Sequence, residues 1–116
     1  SFAYSDFQVE GGETVTASVT VTNTGQREGA DVPQFYLTQA PGEVRQRLLG
    51  FERVELKPGE SRRVTVTADP RLLARFDGKE NRWRIAAGRH RIGIGKSATE
   101  IAATSEIDLA ARLFGR

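Results

Sequence analysis

An all-β, antiparallel, two-sheet sandwich of about seven strands is the fold class this sequence predicts. Three observations predict it. Apolar and polar residues alternate without a fault over residues 14–22, the period of a strand with one wet face. Further short apolar runs follow, separated by turn clusters at roughly 8 to 12 residue intervals. The one helical signal ahead of the C-terminal tail is a single short turn, residues 71–76.

Within residues 14–22, Val15, Ala17, Val19 and Val21 take one face and Thr14, Thr16, Ser18, Thr20 and Thr22 the other. Asn23-Thr24-Gly25 ends the strand, because Asn bonds its own backbone and Gly accepts a positive φ. A strand over residues 32–38 comes next. Pro33 near its start lacks an N–H, which places this strand at or near a sheet edge. Gln39-Ala40-Pro41-Gly42-Glu43 reads as a turn. In the strand over residues 48–56, Leu49 and Phe51 share one parity while Val54 and Leu56 share the other. A bulge near residues 50–53 reconciles the two.

Lys57-Pro58-Gly59-Glu60 suits a type II turn, with Pro second and Gly third. It leads into residues 63–68, where Val64, Val66 and Ala68 point one way. Asp69-Pro70 caps the short helical turn, and Asp77-Gly78 stops it. Strands over residues 82–86, 89–95 and 100–109 complete an immunoglobulin-type sandwich. His90, Ile92 and Ile94 share a face of one, and Ile101, Ala103, Ile107 and Leu109 share a face of the last. Residues 1–109 are thus expected to form the sandwich, and residues 110–116 a tail, disordered or briefly helical.

Composition bounds the function. A chain of 116 residues is one domain by size and buries about two thirds of its unfolded surface. No apolar run approaches the roughly 20 residues of a membrane-crossing helix, so no membrane partner is expected. The segment Phe2-Ala3-Tyr4 reads as a strand and not as a basic leader with an apolar core. The absence of cysteine removes disulfides, thiolate metal sites and thiol nucleophiles together. Net charge is only +2, with 14 Arg and 3 Lys interspersed among acids. The Arg-rich stretch of residues 82–91 is expected to be a solvated strand face, and no recognition helix or stacking platform accompanies it. No nucleic-acid partner is expected.

Each candidate for chemistry has a plainer explanation. Gly93-Ile94-Gly95-Lys96-Ser97 imitates the end of a phosphate loop, but position 90 is His where the pattern needs Gly, and a strand follows where it needs a helix. Its glycines mark a bulge or a close neighbour. The single His90 lies between arginines and shares parity with Ile92 and Ile94. That favours a partly buried, hydrogen-bonded imidazole over a metal ligand. Asp77-Gly78-Lys79-Glu80-Asn81 has too few correctly spaced oxygens for calcium and reads as a hairpin tip. No catalytic, metal-binding or cofactor-binding residue is assigned. Exposed aromatics on a sandwich can stack on sugars, which makes Trp83, Tyr4 and Tyr36 candidates for carbohydrate contact. Core packing is the competing expectation for all three, with Trp83 and Ile85 turned inward.

An ordered set of motifs runs through nearly the whole chain. It comprises Phe2-x-Tyr4-Ser5-Asp6, Val19-Thr20-Val21-Thr22-Asn23-Thr24-Gly25, Asp31-Val32-Pro33-Gln34-Phe35-Tyr36-Leu37 and Leu48-Leu49-Gly50-Phe51-Glu52-Arg53-Val54-x-Leu56-x-Pro58-Gly59-Glu60-Ser61. Trp83-Arg84-Ile85 and Ala87-Gly88-x-His90-x-Ile92-Gly93-Ile94-Gly95-x-Ser97 follow. The set resembles the fibronectin type III-like domain at the C-terminal end of family 3 glycoside hydrolases such as β-glucosidases. Single pieces such as Val21-Thr22-Asn23-Thr24-Gly25 also occur in other adhesion-type sandwiches.

The resemblance implies an accessory module, not an enzyme, in a family whose nucleophile and acid/base lie on other domains. Ser5-Asp6-Phe7 echoes the Ser-Asp-Trp-like nucleophile motif of that family, but here it opens a strand of the accessory domain. Retaining cleavage would also need a second carboxyl about 5 Å away. The implied partners are the catalytic domains of the same polypeptide, and no cofactor is implied. Packing against them implies an apolar patch, for which Phe35, Leu48, Leu49 and Phe51 are candidates, with Arg47 supplying polar contacts. The shifted register leaves more apolar residues there than one inner face requires. Isolated copies are expected to pair weakly through that surface. The alternatives are a carbohydrate-binding module and an adhesion-type sandwich.

Overall fold

The computed structural model describes residues 1–115, apart from the side chain of Arg45. Two layers face each other. One sheet has the order β1 (Phe2–Glu10), β2 (Thr16–Asn23), β7 (Ser61–Thr67); the other has β11 (Glu100–Leu109), β10 (Gly88–Ser97), β4 (Gln34–Ala40), β5 (Glu43–Phe51). These seven antiparallel strands are the sandwich that the alternating sequence predicts.

The alternation of β2 does what period two requires. Val15, Ala17, Val19 and Val21 are buried against Phe35, Leu37, Ile92 and Ile94 of the opposite sheet, in one cluster with Val64 and Leu73. The hydroxyls on the outer face bond across to β7, Thr22 to Ser61 at 2.7 Å and Thr16 to Thr67 at 3.3 Å. Asn23 closes the strand from inside. Its side chain is buried, donates to the carbonyls of Arg27 and Leu56, and accepts from Gly25 N–H.

β4 lies between β10 and β5, one strand in from the edge and so near it as expected; Pro33 falls one residue before its first ladder partner, so its missing N–H costs no sheet bond. Three local expectations change. The parity change after Phe51 is mainly a change of sheet. Glu52-Arg53 breaks the strand, and β6 (Val54–Leu56) pairs with β3 (Gly29–Asp31) instead of β4. A bulge does occur beside Gly50, since Phe35 pairs with Gly50 and Tyr36 with Leu48, leaving Leu49 as the extra residue.

The helical turn is shorter than expected, a 3-10 turn over Pro70–Leu73, capped by the Asp69 carboxylate on Arg71 N–H. The chain then straightens into β8 (Arg75–Asp77), which pairs with β9 (Arg82–Ile85). The C-terminal segment is a strand where a helix or disorder was expected. β12 (Arg112–Phe114) pairs with β9, burying part of Phe114 against the core; Arg116 lies outside the described residues. No helix among the described residues is long and apolar enough to cross a membrane.

The turns follow their chemistry. Glu60 N–H bonds Lys57 carbonyl at 2.9 Å with Gly59 at φ 79°, the type II geometry that needs Gly in third place.

Candidate functional site

The exposed edge of the four-stranded sheet is the feature most unlike a self-sufficient domain. Among the described residues, four large hydrophobics are exposed: Val44 (87%), Phe51 (61%), Phe76 (48%) and Leu48 (41%). Three of them lie on β5, the outermost strand of its sheet. Leu48 pairs with Tyr36 and Phe51 with Gln34, and Tyr36 and Gln34 are themselves joined by a hydroxyl-to-amide hydrogen bond. Leu48 and Phe51 therefore flank one short stretch of β4. Gln46 Nε2 donates to the Ala98 carbonyl at 2.6 Å, tying the β10–β11 turn to the same strand.

Of the residues expected to form an interdomain contact, Leu48, Phe51 and Arg47 reach the surface. Phe35 and Leu49 do not. Phe35 is fully buried beside Phe7, and Leu49 is turned into the core by the bulge, both at less than a tenth exposure. Val44 and Phe76 were missed by sequence reasoning. A lone valine in the polar run Gly42-Glu43-Val44-Arg45-Gln46-Arg47 was the available signal for the first. Phe76 was hidden by its assignment to a helical turn.

A shallow cleft lies beside β5, lined by Glu43, Val44, Arg47, Ala74, Arg75, Phe76 and Trp83. Trp83 is half-buried and meets Phe76 edge to face, with ring centroids 5.4 Å apart at 78°. Trp83 and Ile85 face the core side as expected, with Ile85 fully buried and Trp83 packed against the core cluster.

The two tyrosines proposed for sugar stacking are engaged elsewhere. Tyr36 is buried and offers no open ring face. Tyr4 has Lys96 Nζ 4.8 Å from its ring centroid, and its hydroxyl donates to Asp31 Oδ2 at 2.6 Å. Burial first, and then the bond to Asp31, push the Tyr4 phenol above its ordinary value of 10.0.

The remaining candidates sit in structural roles. Asp6 occupies a bulge of β1 at φ 53°. Its carboxylate accepts from Gln8 and pairs with Arg63 at 3.5 Å. His90 is fully buried, more so than expected, with Nδ1 3.1 Å from the Gly88 carbonyl. Asp77 forms the hairpin tip, where one oxygen accepts from Lys79 and Glu80 N–H and the other from Arg84. The Arg84 hydrogen bond, with the backbone donors, holds that carboxyl below its ordinary value. In the Arg-rich stretch, Arg84 pairs with Asp77, Arg89 with Glu106 and Asp108, and Arg91 with Glu106. Gly95 stands at the expected bulge, where an added Cβ would lie 2.3 Å from the Glu100 carbonyl oxygen.

Comparison with known proteins places this architecture. The family model described as "Fibronectin type III-like domain" matches residues 31–98. Beta-glucosidase B of Emericella nidulans is 37% identical over 104 residues, covering 87% of this chain and 12% of that protein. An exo-alpha-(1->6)-L-arabinopyranosidase of Bifidobacterium breve is 36% identical over 102 residues, covering 85% of this chain and 14% of that protein. Among solved structures, the GH3 beta-glucosidase of Bifidobacterium adolescentis superposes with a TM-score of 0.87 at 32% identity, over 96% of this chain and 17% of that one. Beta-glucosidase 3B of Thermotoga neapolitana gives 0.87 at 32% identity, over 100% of this chain and 17% of that one. The chain thus spans a small part of the length of each relative, and within that part the agreement runs through both sheets. The chain belongs to the fibronectin type III-like domain family.

Proposed function

We propose that this domain is a non-catalytic brace of a larger β-glucosidase-like glycoside hydrolase, docking on the catalytic domains of the same polypeptide. The observation that carries this reading is the concentration of exposed apolar side chains along one edge strand, β5, where Leu48 and Phe51 form the docking face and Val44 lies further along. Scattered exposed leucines are ordinary, but several on one strand mark a contact surface. Burying what remains open of Leu48 and Phe51 would contribute about 1–2 kcal/mol each.

The relatives support the reading by their proportions, because the matched segment is 12–14% of the first two and most of each protein lies outside it. Arg47, exposed on the same strand, pairs with Leu37 while Leu48 pairs with Tyr36, so it supplies polar contacts on the opposite side of the strand from Leu48. Isolated copies pair weakly through the Leu48–Phe51 face. The test removes the domain from the full-length polypeptide. Loss of glycosidase activity with a lowered melting temperature supports a brace, and an enzyme that keeps both without the domain overturns it.

A further inference from the structure

We infer that the cleft between β5 and the β8–β9 hairpin is a second docking surface, separate from the Leu48–Phe51 face, and that its occupant is an apolar, carboxylate-bearing polypeptide segment from a neighbouring domain of the same larger protein. This rests on the brace reading above and adds to it a second contact of defined chemistry. The aromatic side of the cleft, Phe76 and Trp83, continues beyond it as a cross-strand row. Phe76 pairs with Trp83 and Trp83 with Phe114 across β8, β9 and β12. Phe114 and Trp83 are anchored on the core, Arg112 lies over the Phe114 ring at 4.6 Å, and a Cβ on Gly115 would come within 3.3 Å of Trp83 Cδ1. The row is therefore fixed at one end and open at the other, where Phe76 is 48% exposed beside Val44 at 87%.

Charge selects the occupant. Among the described residues, three charged side chains line the cleft, Glu43, Arg47 and Arg75. Arg75 is engaged with Glu43, whereas Arg47 is exposed and enters no ion pair among the described residues. Among the described residues Arg47 is thus a cation outside any ion pair next to apolar side chains, so a segment that brings an aliphatic or aromatic side chain together with a carboxylate is complementary to it. A sugar fits less well. Stacking needs an open, flat ring face, while Trp83 is held edge to face by Phe76 and the most exposed apolar group is the branched Val44. Leu48 and Phe51 do not line this cleft, so the two surfaces can be occupied independently.

Hydroxyl-radical footprinting, read by mass spectrometry, compares the 116-residue chain with the full-length polypeptide that carries it. The inference predicts loss of labelling at Val44 and Phe76 in the full-length protein. It also predicts that Arg47→Glu restores that labelling while leaving Leu48 and Phe51 protected. Protection of Leu48 and Phe51 with Val44 and Phe76 still labelled would overturn the inference and leave the brace standing. Protection of Val44 and Phe76 alone would uphold the cleft and remove the Leu48–Phe51 face. Labelling of all four in both samples would overturn both. If Phe76 is protected in the isolated chain only as its concentration rises, or only when a soluble β-glucan is added, the occupant is a second copy or a sugar and the assignment falls.

Discussion

Lys96 Nζ stands over the Tyr4 ring at 4.8 Å from its centroid and within 3.4 Å of Asp31, the same carboxylate that accepts the Tyr4 hydroxyl. The cation also lies 5.6 Å from the Phe2 ring, so β1, β3 and β10 meet at one charged point. Tyr4→Phe keeps the ring and loses only the bond to Asp31. A hydrogen bond to a partly buried carboxylate contributes about 1.5–3 kcal/mol, and urea unfolding should show a loss at the lower end of that range.

The same tyrosine gives a pH test. Its phenol is raised above 10.0 in the folded chain by burial and by Asp31. The folded state therefore holds this proton more tightly than the unfolded state does, and the stability it contributes is complete below pH 10 and lost as pH rises beyond it. Stability measured upward from pH 10 should fall less steeply in Tyr4→Phe than in the parent chain.

On the acid side, Asp69 caps the 3-10 turn and is held at about 2, against an ordinary 3.8, by the Arg71 side chain and then by Arg71 N–H. Its contribution is present above pH 3.8 and lost as pH falls toward 2. An NMR titration should show its carboxyl protonating near pH 2, well below the ordinary aspartate value of 3.8, and Asp69→Asn should flatten the acid limb of the stability curve.

Gly50 is required by volume. An added Cβ would lie 2.4 Å from Val66 Cγ1, so Gly50→Ala overpacks the inter-sheet contact at a cost of about 1–3 kcal/mol. Val66→Ala opens that space. The double variant should be more stable than the sum of the single effects allows, with coupling of about 1 kcal/mol in a double-mutant cycle.

The sandwich was legible because period two speaks directly of burial. Val15, Ala17, Val19 and Val21 could be assigned to the core from residues 14–22 alone, and all four are buried. What sequence could not reveal was which sheet a strand joins. The parity change after Phe51 has the same signature whether the chain bulges or crosses to another sheet, and here it does both. That ambiguity also scattered the contact candidates, since Leu49 and Phe51 share parity in sequence while the bulge sends one inward and leaves the other exposed. Phe76 was illegible for a different reason. Arg71-Leu72-Leu73-Ala74-Arg75 is a run of helix-favouring residues leading into Phe76, and pairing with β9 pulls that end into a strand.

Leu48→Asp combined with Phe51→Asp, followed by thermal unfolding of the 116-residue chain and of the full-length polypeptide, tests the brace most directly. Both side chains already face solvent in the isolated domain, so its midpoint should stay within the small shift expected of surface changes, about 0.5 kcal/mol per site, while that of the full-length protein drops clearly. A midpoint unchanged in the full-length protein, or lowered equally in both, would contradict the account.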